Sequence, residues 1–533
     1  MAILSHDTKK ICKVSEVTKR FLKFTLTEEQ KAKIPKGKKI VFRRCKQHVK
    51  GKSYSQFLSR AQYTSNVNSK HKGAIVTVGT SQLGVVWDDE PEWIYETDKS
   101  KSCIKERRIA ATAERHRAHR MLASTIASMF AETVDYAENC VVVKRVPITL
   151  FLVVAVAGSL RGYTDATSVA NYWNNNLPYL QKLYPHLELK ELSHDSVTRI
   201  YQSLTEDSAK TILRSFYEWV PKWFTEEELR HISIDGQVCC ASSHHETGRR
   251  MMTLNAVDVT AGKLCVAHTQ IDTKSHEPKF APGLIDFLPN VLGATITFDA
   301  LNTTRAIAEH ILTKGAFYLL AVKDNQPRLY AAVRAAIAAA KAEKPEVGRD
   351  ASDLLQEIDS GRESKHNRYD ARGTIVVPAN RLPKEILDEW PGLENGCIAE
   401  ATTKSFRQDG NKEWSTSTET RWFISCHPYG NGEIAEWIAA CIRGHWGVES
   451  FHWTMDMIFK QDYMECRYPA YLWTRQTIAK IAHNLLKTFQ KIDQEKRGLS
   501  QPRSEAQLSH EVGADLKTAL GWIWLAAQRK AAK

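Results

Sequence analysis

The sequence lacks several features that are typical of secreted and membrane-bound chains. Its 11 cysteines are scattered, odd in number and without a CxxC pair, which excludes a disulfide-rich scaffold and favours a reducing compartment. The first residues contain no apolar segment of the signal-peptide kind. The longest apolar run, residues 146–160, includes Pro147 and is shorter than the ~20 residues of a membrane span. We therefore expect a buried helix there, in a soluble intracellular protein without a membrane partner.

A strong net charge is absent from most of the chain. The formal net charge is +13, but residues 1–80 alone hold 19 Lys/Arg against 4 Asp/Glu, so the remaining 453 residues sum to −2. A basic arm on a nearly neutral body favours a polyanionic partner for that arm. Internal repeats and low-complexity tracts are also missing, which excludes a solenoid.

The first part of the chain combines basic clusters with strand and helix patterns. Residues 74–87 predict a pair of strands around a glycine turn. Residues 100–133 predict a basic helix, whose charges fit a solvated face and phosphate contact equally well. Further helices are predicted over 146–224, with Ser193 or Asp195 capping the last of them.

From residue 231 the pattern changes to short strands. Three successive strands are predicted over 231–239, 251–260 and 263–272. A fourth, 294–300, leads into a helix, and a fifth, 316–323, precedes an Ala-rich helix. This order predicts a mixed α/β layer, followed by further strands before helices return.

Two aspartates occupy matching places in these strands. Asp235 lies inside the first strand and Asp299 ends the fourth. A charge inside an apolar strand is costly unless it is paired or binds metal, although either Asp alone is more typical of a turn or a helix cap. Because the first and fourth strands are neighbours in a ribonuclease-H-like sheet, the two carboxylates would meet there. A third carboxylate from a later helix would complete a site for Mg²⁺ or Mn²⁺.

The stretch GHWGVESFHWTMD, residues 444–456, predicts such a helix. At helical pitch, one face carries four ionisable side chains: His445, Glu449, His452 and Asp456. Trp446 and Trp453 project elsewhere. This face is either a solvated stripe or the wall of a site, and Glu449 is the obvious donor of the third carboxylate.

A series of motifs between residues 146 and 490 carries a resemblance to a known family. They are SHDSVTRIYQSL, SIDGQ, AVDVTAGKL, DTKSHEP, GATITFDAL, AVKDNQPRLY, HNRYDAR, ETRWFIS, IRGHWGVESFHWTMDMIFKQD and IAHNLLK. In content and order, this part of the chain resembles the H-repeat-associated transposases, a DDE family of bacterial insertion sequences. The arm before residue 146 has no counterpart in that family.

The resemblance implies an α/β fold: a ribonuclease-H-like catalytic core with a β-rich insertion before the last acidic residue. Charge and residue pattern add a helical N-terminal region and a basic N-terminal module. By position the resemblance implies Asp235, Asp299 and Glu449 as the catalytic and metal-binding residues for two Mg²⁺ (or Mn²⁺) ions. It also implies double-stranded DNA as the partner, a homodimer or larger synaptic oligomer, and a nucleoid-associated location in the cytoplasm.

The residue patterns and the resemblance together divide the chain into six parts. These are the basic module (1–99), a helical DNA-binding or linker region (100–229), the first part of the core (230–344), the insertion (345–430), the second part of the core with the Glu helix (431–495) and a C-terminal helical tail (496–533).

Ten further residues match family motifs and are candidates for DNA contact or for support of the acids. They are Lys323, Asn325, Gln326, His366, Arg368, Arg372, Arg443, His445, His452 and Asp456. Cations one turn from a catalytic acid would neutralise a scissile phosphate. An ordinary salt bridge or cap fits each of these residues at least as well.

The stretch after Asp235 departs from the basic pattern of the family. Gln237 stands where the family has Lys, which leaves Arg249 and Arg250 as candidates for the phosphate contact. The same stretch offers four soft ligands for an alternative zinc site: Cys239, Cys240, His244 and His245. Adjacent residues on a strand point to opposite faces, so these four do not converge easily.

Three functions are compatible with these features. The first is a transposase that cuts element ends and joins 3′-hydroxyl ends to target DNA by two-metal phosphodiester chemistry. The second is a catalytically altered, repurposed transposase that acts as a DNA-binding or regulatory protein. The third is an unrelated RNA-binding or structural protein that depends on its basic arm. The three acids favour the first function, and the altered stretch after Asp235 favours the second.

Overall fold

The structure of the chain is a computed structural model. It describes short strands between residues 2 and 95, and then residues 146–219, 229–271, 276–343, 354–365, 368–408, 414–430 and 432–531. The chain divides into two compact units, Met1–Glu114 and Arg115–Lys533.

The first unit contains short strands in small sheets. They are β1 (Ala2–Ile3), β2 (Lys13–Val17), β3 (Phe21–Thr25), β4 (Lys38–Ile40), β5 (His48–Val49), β6 (Lys52–Ser53), β7 (Ile75–Thr77), β8 (Val86–Trp87) and β9 (Trp93–Tyr95). The pairing predicted over residues 74–87 is wrong, because β7 pairs with β3 and β8 pairs with β1. The eight residues between the two strands exceed the two-residue loop of a tight hairpin. The basic helix predicted over 100–133 lies outside the described residues.

The described part of the second unit, from residue 146 on, begins with four helices. They are α1 (Ile148–Ser159), α2 (Ala166–Leu183), α3 (His194–Ser203) and α4 (Glu206–Trp219). The apolar run forms α1, whose side chains are almost all buried, so the prediction of a buried helix is confirmed. Ser193, one of the two predicted caps, accepts a hydrogen bond from the Ser196 N–H at 3.2 Å and begins α3. The prediction that this is the last helix before the sheet is wrong, because the run is interrupted after Ser203 and continues as α4.

Nine strands of the second unit form one mixed sheet. They are β10 (His231–Ser243), β11 (Arg250–Asp258), β12 (Leu264–Ile271), β13 (Thr295–Phe298), β14 (Phe317–Val322), β15 (Gln356–Lys365), β16 (Arg368–Pro378), β17 (Cys397–Gln408) and β18 (Trp414–Ser425). Their order is β12-β11-β10-β13-β14-β18-β17-β16-β15. The strands β10, β13 and β14 are parallel, and the other neighbours are antiparallel. The five predicted strands and the contact of the first with the fourth are confirmed.

The strands that follow β14 in sequence extend the same sheet. Together with the short helix α8 (Lys384–Glu389), β15 to β18 occupy the region predicted as an insertion. Only Trp422–Ser425 of β18 pair with β14. The first eight residues of β18, from Trp414 to Arg421, therefore extend beyond β14 and bring the insertion over one end of the parallel strands.

The remaining helices cover the sheet. They are α5 (Glu277–Asp286), α6 (Arg305–Thr313), α7 (Pro327–Ala342), α9 (Gly432–Gly444), α10 (Gly447–Met457), α11 (Pro469–Arg497), α12 (Glu505–Val512) and α13 (Leu516–Ala531). The 29-residue α11 packs against α1, α3, α4 and β12, and its Asn484 side chain bonds both the N–H and the carbonyl of Cys265 at 2.9 Å. In the part of the chain that the structure describes, none of the helices has the length and apolar character needed to cross a membrane.

Among the described residues of the second unit, four imidazoles are buried: His231, His268, His427 and His483. Loss of hydration penalises their charged forms. It lowers the pKa of His427 and of His483 to about 4 and that of His231 to about 3. The pKa of His268 is lowered as well, for the same reason. These rings are therefore neutral in the folded chain near neutral pH.

We expect the free energy of unfolding to fall as the pH drops from 6.5, the ordinary histidine pKa, towards about 4, because the unfolded chain then binds protons that the folded chain does not. Each group adds a slope of up to ~1.4 kcal/mol per pH unit. Urea unfolding near neutral pH and near pH 5 measures the loss. In the wild type, Thr295 Oγ1 lies 2.8 Å from His427 Nε2. The variant His427→Gln still offers Thr295 a hydrogen-bond partner but does not titrate, so its free energy of unfolding should fall less between these two pH values. An equal loss in both proteins contradicts this assignment.

Candidate active site

The first two acids lie side by side on the parallel strands. The register of β10 and β13 pairs Ile234 with Phe298, so Asp235 and Asp299 are the next residues on neighbouring strands, which are spaced by roughly 5 Å. Asp299 also begins a short 3₁₀ turn, in which the Asn302 N–H donates to its carboxylate at 3.3 Å. The sheet itself therefore brings these two carboxylates together.

The imidazole of His445 identifies the side of the sheet that carries the acids. Ser233 Oγ on β10 and Thr297 Oγ1 on β13 each lie 2.9 Å from His445 Nδ1. Side chains on a strand repeat their direction every second residue, so Asp235 and Asp299 face the same helices. Burial lowers the pKa of His445 to about 4, although the charge of Asp299 opposes the shift. The ring is thus a neutral link between the α9–α10 junction and both strands.

Two further polar contacts fix α10 on the sheet. Gln237 Nε2 donates to Asp456 Oδ1 at 2.8 Å, and burial raises the pKa of this carboxyl to about 6. Asn255 Nδ2 lies 3.1 Å from His452 Nε2 and can only donate, so in the neutral ring the proton lies on Nδ1. That nitrogen is 3.8 Å from Asp235 Oδ2. His452 and Asp456 therefore serve to position α10 against β10 and β11.

Glu449 is the exposed member of the ionisable face. At about 100° per residue, His452 lies roughly 60° to one side of Glu449 and Trp453 roughly 40° to the other. Glu449 thus stands at the border between the sheet-facing stripe and the tryptophan side of α10. Trp446 and Trp453 project beside Glu449, into the same cleft.

The three acids share one cavity of about 660 Å³ between the sheet, α9 and α10. Asp235, Asp299 and Glu449 all line it, together with four cations from other elements: Lys323 after β14, Arg372 on β16, Arg421 on β18 and Arg443 on α9. Carboxylates from two strands and one helix therefore meet on a single polar space.

The donor chemistry of this cavity fits Mg²⁺ or Mn²⁺, because all three side chains offer hard oxygen ligands. Among the described residues, no three His, Cys, Asp or Glu side chains form a ready metal-binding group. Mg²⁺ is commonly held by one or two carboxylates plus water and substrate phosphate. The donor set therefore fits an ion whose coordination is completed by water and by a substrate phosphate.

The alternative zinc site has no support in the described part of the chain. Cys239 is buried and receives a hydrogen bond from Gln476 Nε2 at 2.9 Å, whereas Cys240 is exposed. His244 and His245 stack on each other at 4.9 Å between ring centroids. The two cysteines point to opposite faces of β10, as adjacent residues on a strand must.

A second cavity, of about 1260 Å³, opens beside Glu449. One wall is α10, with Trp446 and the 61% exposed Trp453. The overhanging strands of the insertion form the other wall and supply four arginines: Arg368, Arg372, Arg407 and Arg421. The Arg421 guanidinium lies 5.0 Å from the centroid of the Trp446 ring. Aromatic faces opposite cations suit the bases and phosphates of a nucleic acid strand.

The three candidates after β14 have different positions. Lys323 lines the cavity of the acids. Asn325 Nδ2 donates to the Ala300 carbonyl at 2.7 Å, and Gln326 Nε2 donates to the Thr303 carbonyl at 3.0 Å. The two amides therefore hold the turn that follows Asp299, and the lysine alone faces the reaction space.

Three candidate arginines surround the acids but are already paired. Arg368 and Arg372 both bind Asp370, at 2.7 and 2.8 Å. Arg443 donates to the Ser360 carbonyl at 3.2 Å and lines the cavity of the acids. These contacts hold the guanidinium groups in place at the edge of the site.

The remaining candidates lie away from the cavities or outside the described residues. Arg249 and Arg250 are exposed at the turn between β10 and β11, where Arg250 pairs with Ser243, eight residues along β10 from Asp235. Neither arginine is among the residues that line the two cavities described above. His366 falls outside the described residues.

A fourth carboxylate was missed by the sequence reasoning. Glu277 begins α5, and its side chain is 0% exposed. Its Oε2 accepts a hydrogen bond from Asn302 Nδ2 at 2.8 Å, and the same amide nitrogen lies 3.0 Å from Asp299 Oδ1. The matching stretch DTKSHEP contained this residue, but a charge at the start of a helix normally indicates solvent exposure, not burial.

The comparisons with known proteins point to transposases. Residues 226–485 match the family model described as Transposase DDE domain. The chain is 28% identical over 321 residues to the "H repeat-associated putative transposase YhhI" of Escherichia coli (strain K12), which covers 59% of this chain and 77% of that protein. It is 27% identical over 364 residues to the "Putative transposase YncI" of Escherichia coli O157:H7, with 67% and 86% covered.

The mixed sheet with its acid-lined cavity is therefore consistent with a transposase DDE domain. The resemblance of the chain to the H-repeat-associated transposases, which its motifs predicted, is confirmed at modest identity over much of the chain.

The junction between α9 and α10 depends on a glycine. A Cβ at Gly444 would lie 2.9 Å from His231 Nδ1 and 3.3 Å from a methyl group of Val259. We expect Gly444→Ala to lower the free energy of unfolding by about 1–3 kcal/mol, because the extra methyl pushes α9 off the sheet.

The matched control is Gly432→Ala at the other end of the same helix, where an added Cβ meets no atom within 4 Å. Its stability should stay within about 0.5 kcal/mol of the wild type. Urea unfolding of the three proteins measures both effects. Equal stability of the two variants would show that the close approach at Gly444 is not required.

Proposed function

We propose that the chain is the transposase of a bacterial insertion sequence, which cuts the ends of its element and joins the freed 3′-hydroxyl groups to target DNA. The observation that carries the proposal is the meeting of Asp235, Asp299 and Glu449 on one cavity, within the region that matches the transposase DDE domain. The parallel order of β10, β13 and β14, followed by an acid on a later helix, supports a ribonuclease-H-like core.

In the proposed reaction, water attacks the phosphorus at an element end, and the bond from phosphorus to the 3′ oxygen breaks to leave a 3′-hydroxyl. That hydroxyl then attacks a phosphodiester of target DNA, whose own 3′ oxygen leaves. Two Mg²⁺ or Mn²⁺ ions held by the three acids would supply activation of the attacking oxygen and charge stabilisation of the leaving one.

The chain's own side chains give the reaction its geometry. The sheet holds Asp235 and Asp299 on neighbouring strands, and the contacts of His445 hold Glu449 across from them. Lys323 and Arg443 line the same cavity and would oppose the negative charge that develops on the phosphate.

The cleft beside Glu449 supports a path for the DNA strand. Arg421 and its neighbours on the insertion would bind phosphates, and Trp446 and Trp453 offer flat faces to bases. The basic arm, residues 1–80, adds affinity for the backbone without base specificity. Because two element ends must be joined, we propose a homodimer or larger assembly as the active species.

The first test is strand cleavage and strand transfer on DNA that carries the element ends flanking this reading frame. We expect products with Mg²⁺ or Mn²⁺ and none with EDTA. The variant Glu449→Gln should lose at least ~10²-fold in rate, because the amide removes the negative charge at the cavity. The control is Glu433→Gln, an exposed acid in the first turn of α9, which should cleave like the wild type.

Two outcomes contradict the proposal. Equal cleavage by the wild type and Glu449→Gln removes this acid from the chemistry. Tight DNA binding without cleavage in either protein favours the repurposed, DNA-binding alternative, in which the altered stretch after Asp235 has cost the chain its activity.

A second test addresses the arginine wall. Arg421 bonds Glu419 at 2.8 Å and faces the cleft. If its guanidinium also contacts a phosphate, Arg421→Ala should weaken DNA binding on all sequences and reduce the slope of log K against log salt by about one. Arg305→Ala is the control, since Arg305 has a similar ion pair with Glu389 at 2.8 Å and lies outside both cavities. Fluorescence anisotropy over a salt series measures the affinity and the slope for each protein. A slope for Arg421→Ala that is identical to the wild-type slope refutes the phosphate contact.

A further inference from the structure

Glu277 touches the surroundings of both strand-borne acids. It lies 25 residues before Asn302 in sequence, and its carboxylate accepts the Asn302 amide at 2.8 Å. Asn302, itself 0% exposed, also lies 3.0 Å from the carboxylate of Asp299 through the same nitrogen. One buried amide therefore bridges the hidden carboxylate and the catalytic one.

The other oxygen of Glu277 packs against the strand that carries Asp235. A Cβ built on Gly236 would overlap Glu277 Oε1. Gly236 directly follows Asp235 on β10, so the absence of a side chain there lets the carboxylate approach the backbone. Glu277 thus contacts β10 at Gly236, the residue after Asp235. It also contacts the 3₁₀ turn at Asn302, three residues after Asp299.

The burial of Glu277 separates its role from that of the three acids. Its side chain is 0% exposed and is not among the residues that line the cavity of Asp235, Asp299 and Glu449. A buried carboxylate is costly unless hydrogen bonds hold it, so its position is set by the contacts it makes. It is close enough to orient the acids, but it does not reach the reaction space.

We propose that Glu277 is a positioning residue of the active site, which fixes the Asp299 carboxylate through Asn302 and the Asp235 backbone through Gly236, so that the two acids can share a divalent cation. This inference rests on the proposed function for the identity of the ligand. Outer-shell partners of this kind typically contribute 10- to 100-fold to metal affinity.

The test uses Mn²⁺ binding to the full chain without DNA, followed by the loss of the free-ion signal in electron paramagnetic resonance. We expect Glu277→Ala to bind Mn²⁺ about 10- to 100-fold more weakly than the wild type. Glu277→Gln retains an oxygen that accepts the Asn302 amide, so its affinity should fall by no more than about threefold. Glu309→Ala, an exposed acid on α6, controls for the loss of a negative charge.

A second variant covers the case in which Glu277→Ala does not fold. Gly236→Ala keeps the carboxylate but displaces it, and should also weaken Mn²⁺ binding. The proposal is overturned if both variants bind like the wild type, if Glu277→Gln loses as much affinity as Glu277→Ala, or if the wild type shows no Mn²⁺ binding that Asp299→Asn abolishes.

The result is distinguishable from a failure of the proposed function. Mn²⁺ binding that depends on Glu277 and Asp299, without any DNA cleavage, supports the positioning role and contradicts the transposase reaction. Cleavage that depends on Glu449, together with full Mn²⁺ affinity in Glu277→Ala, supports the transposase reaction and contradicts the positioning role.

Discussion

The position of α10 on the sheet is the contact on which the whole site depends. Polar pairs lie in this interface beside the buried apolar side chains of α10: His445 contacts Ser233 and Thr297, and Asp456 contacts Gln237. An apolar interface would tolerate sliding, whereas buried polar groups are satisfied only in one register. A slip of one helical turn would displace Glu449 by about 5.4 Å and leave these groups unpaired. The polar contacts thus stabilise the interface less than apolar packing would, but they define the distance from Glu449 to Asp235 and Asp299.

The same contacts explain the dense ionisable segment at residues 444–456. Its polar groups are not all ligands, although they lie on one face. Those directed at the sheet hold the helix, and Glu449, at the edge of the face, is exposed to the cavity. The two tryptophans belong to the next strip of surface and line the cleft on the other side of Glu449. The side chains that hold the helix on the sheet, the acid proposed for the chemistry and the tryptophans proposed to contact a DNA strand therefore occupy adjacent strips of α10.

The sequence pattern predicted those elements of the fold that depend on residues close to each other in the chain. The alternation and short apolar runs after residue 231 gave the five core strands, and an Asp at matching points of two of them predicted their proximity. Apart from the contact of β10 with β13, which a ribonuclease-H-like sheet implies, pairing over long distances in sequence could not be predicted from local pattern. The attachment of β18 to β14 depends on which sheet edge is open, and the link from Glu277 to Asp299 passes through an asparagine 25 residues away. In the first unit, β7 and β8 are strands, as expected, but their partners are distant in sequence.

The departure at Gln237 has a structural use in this chain. The amide is buried and donates to Asp456, so this position holds α10 and does not present a cation to the substrate. Any positive charge at the cavity must come from elsewhere, and the lining cations Lys323, Arg372, Arg421 and Arg443 come from the end of β14, from β16, from β18 and from α9. The three arginines are already held, by Asp370, by Glu419 and by the Ser360 carbonyl, so little side-chain freedom is lost when a phosphate binds. Because four elements supply the cations, the charge of the site depends on the docking of α9 and of strands β15 to β18, just as the position of Glu449 depends on the docking of α10.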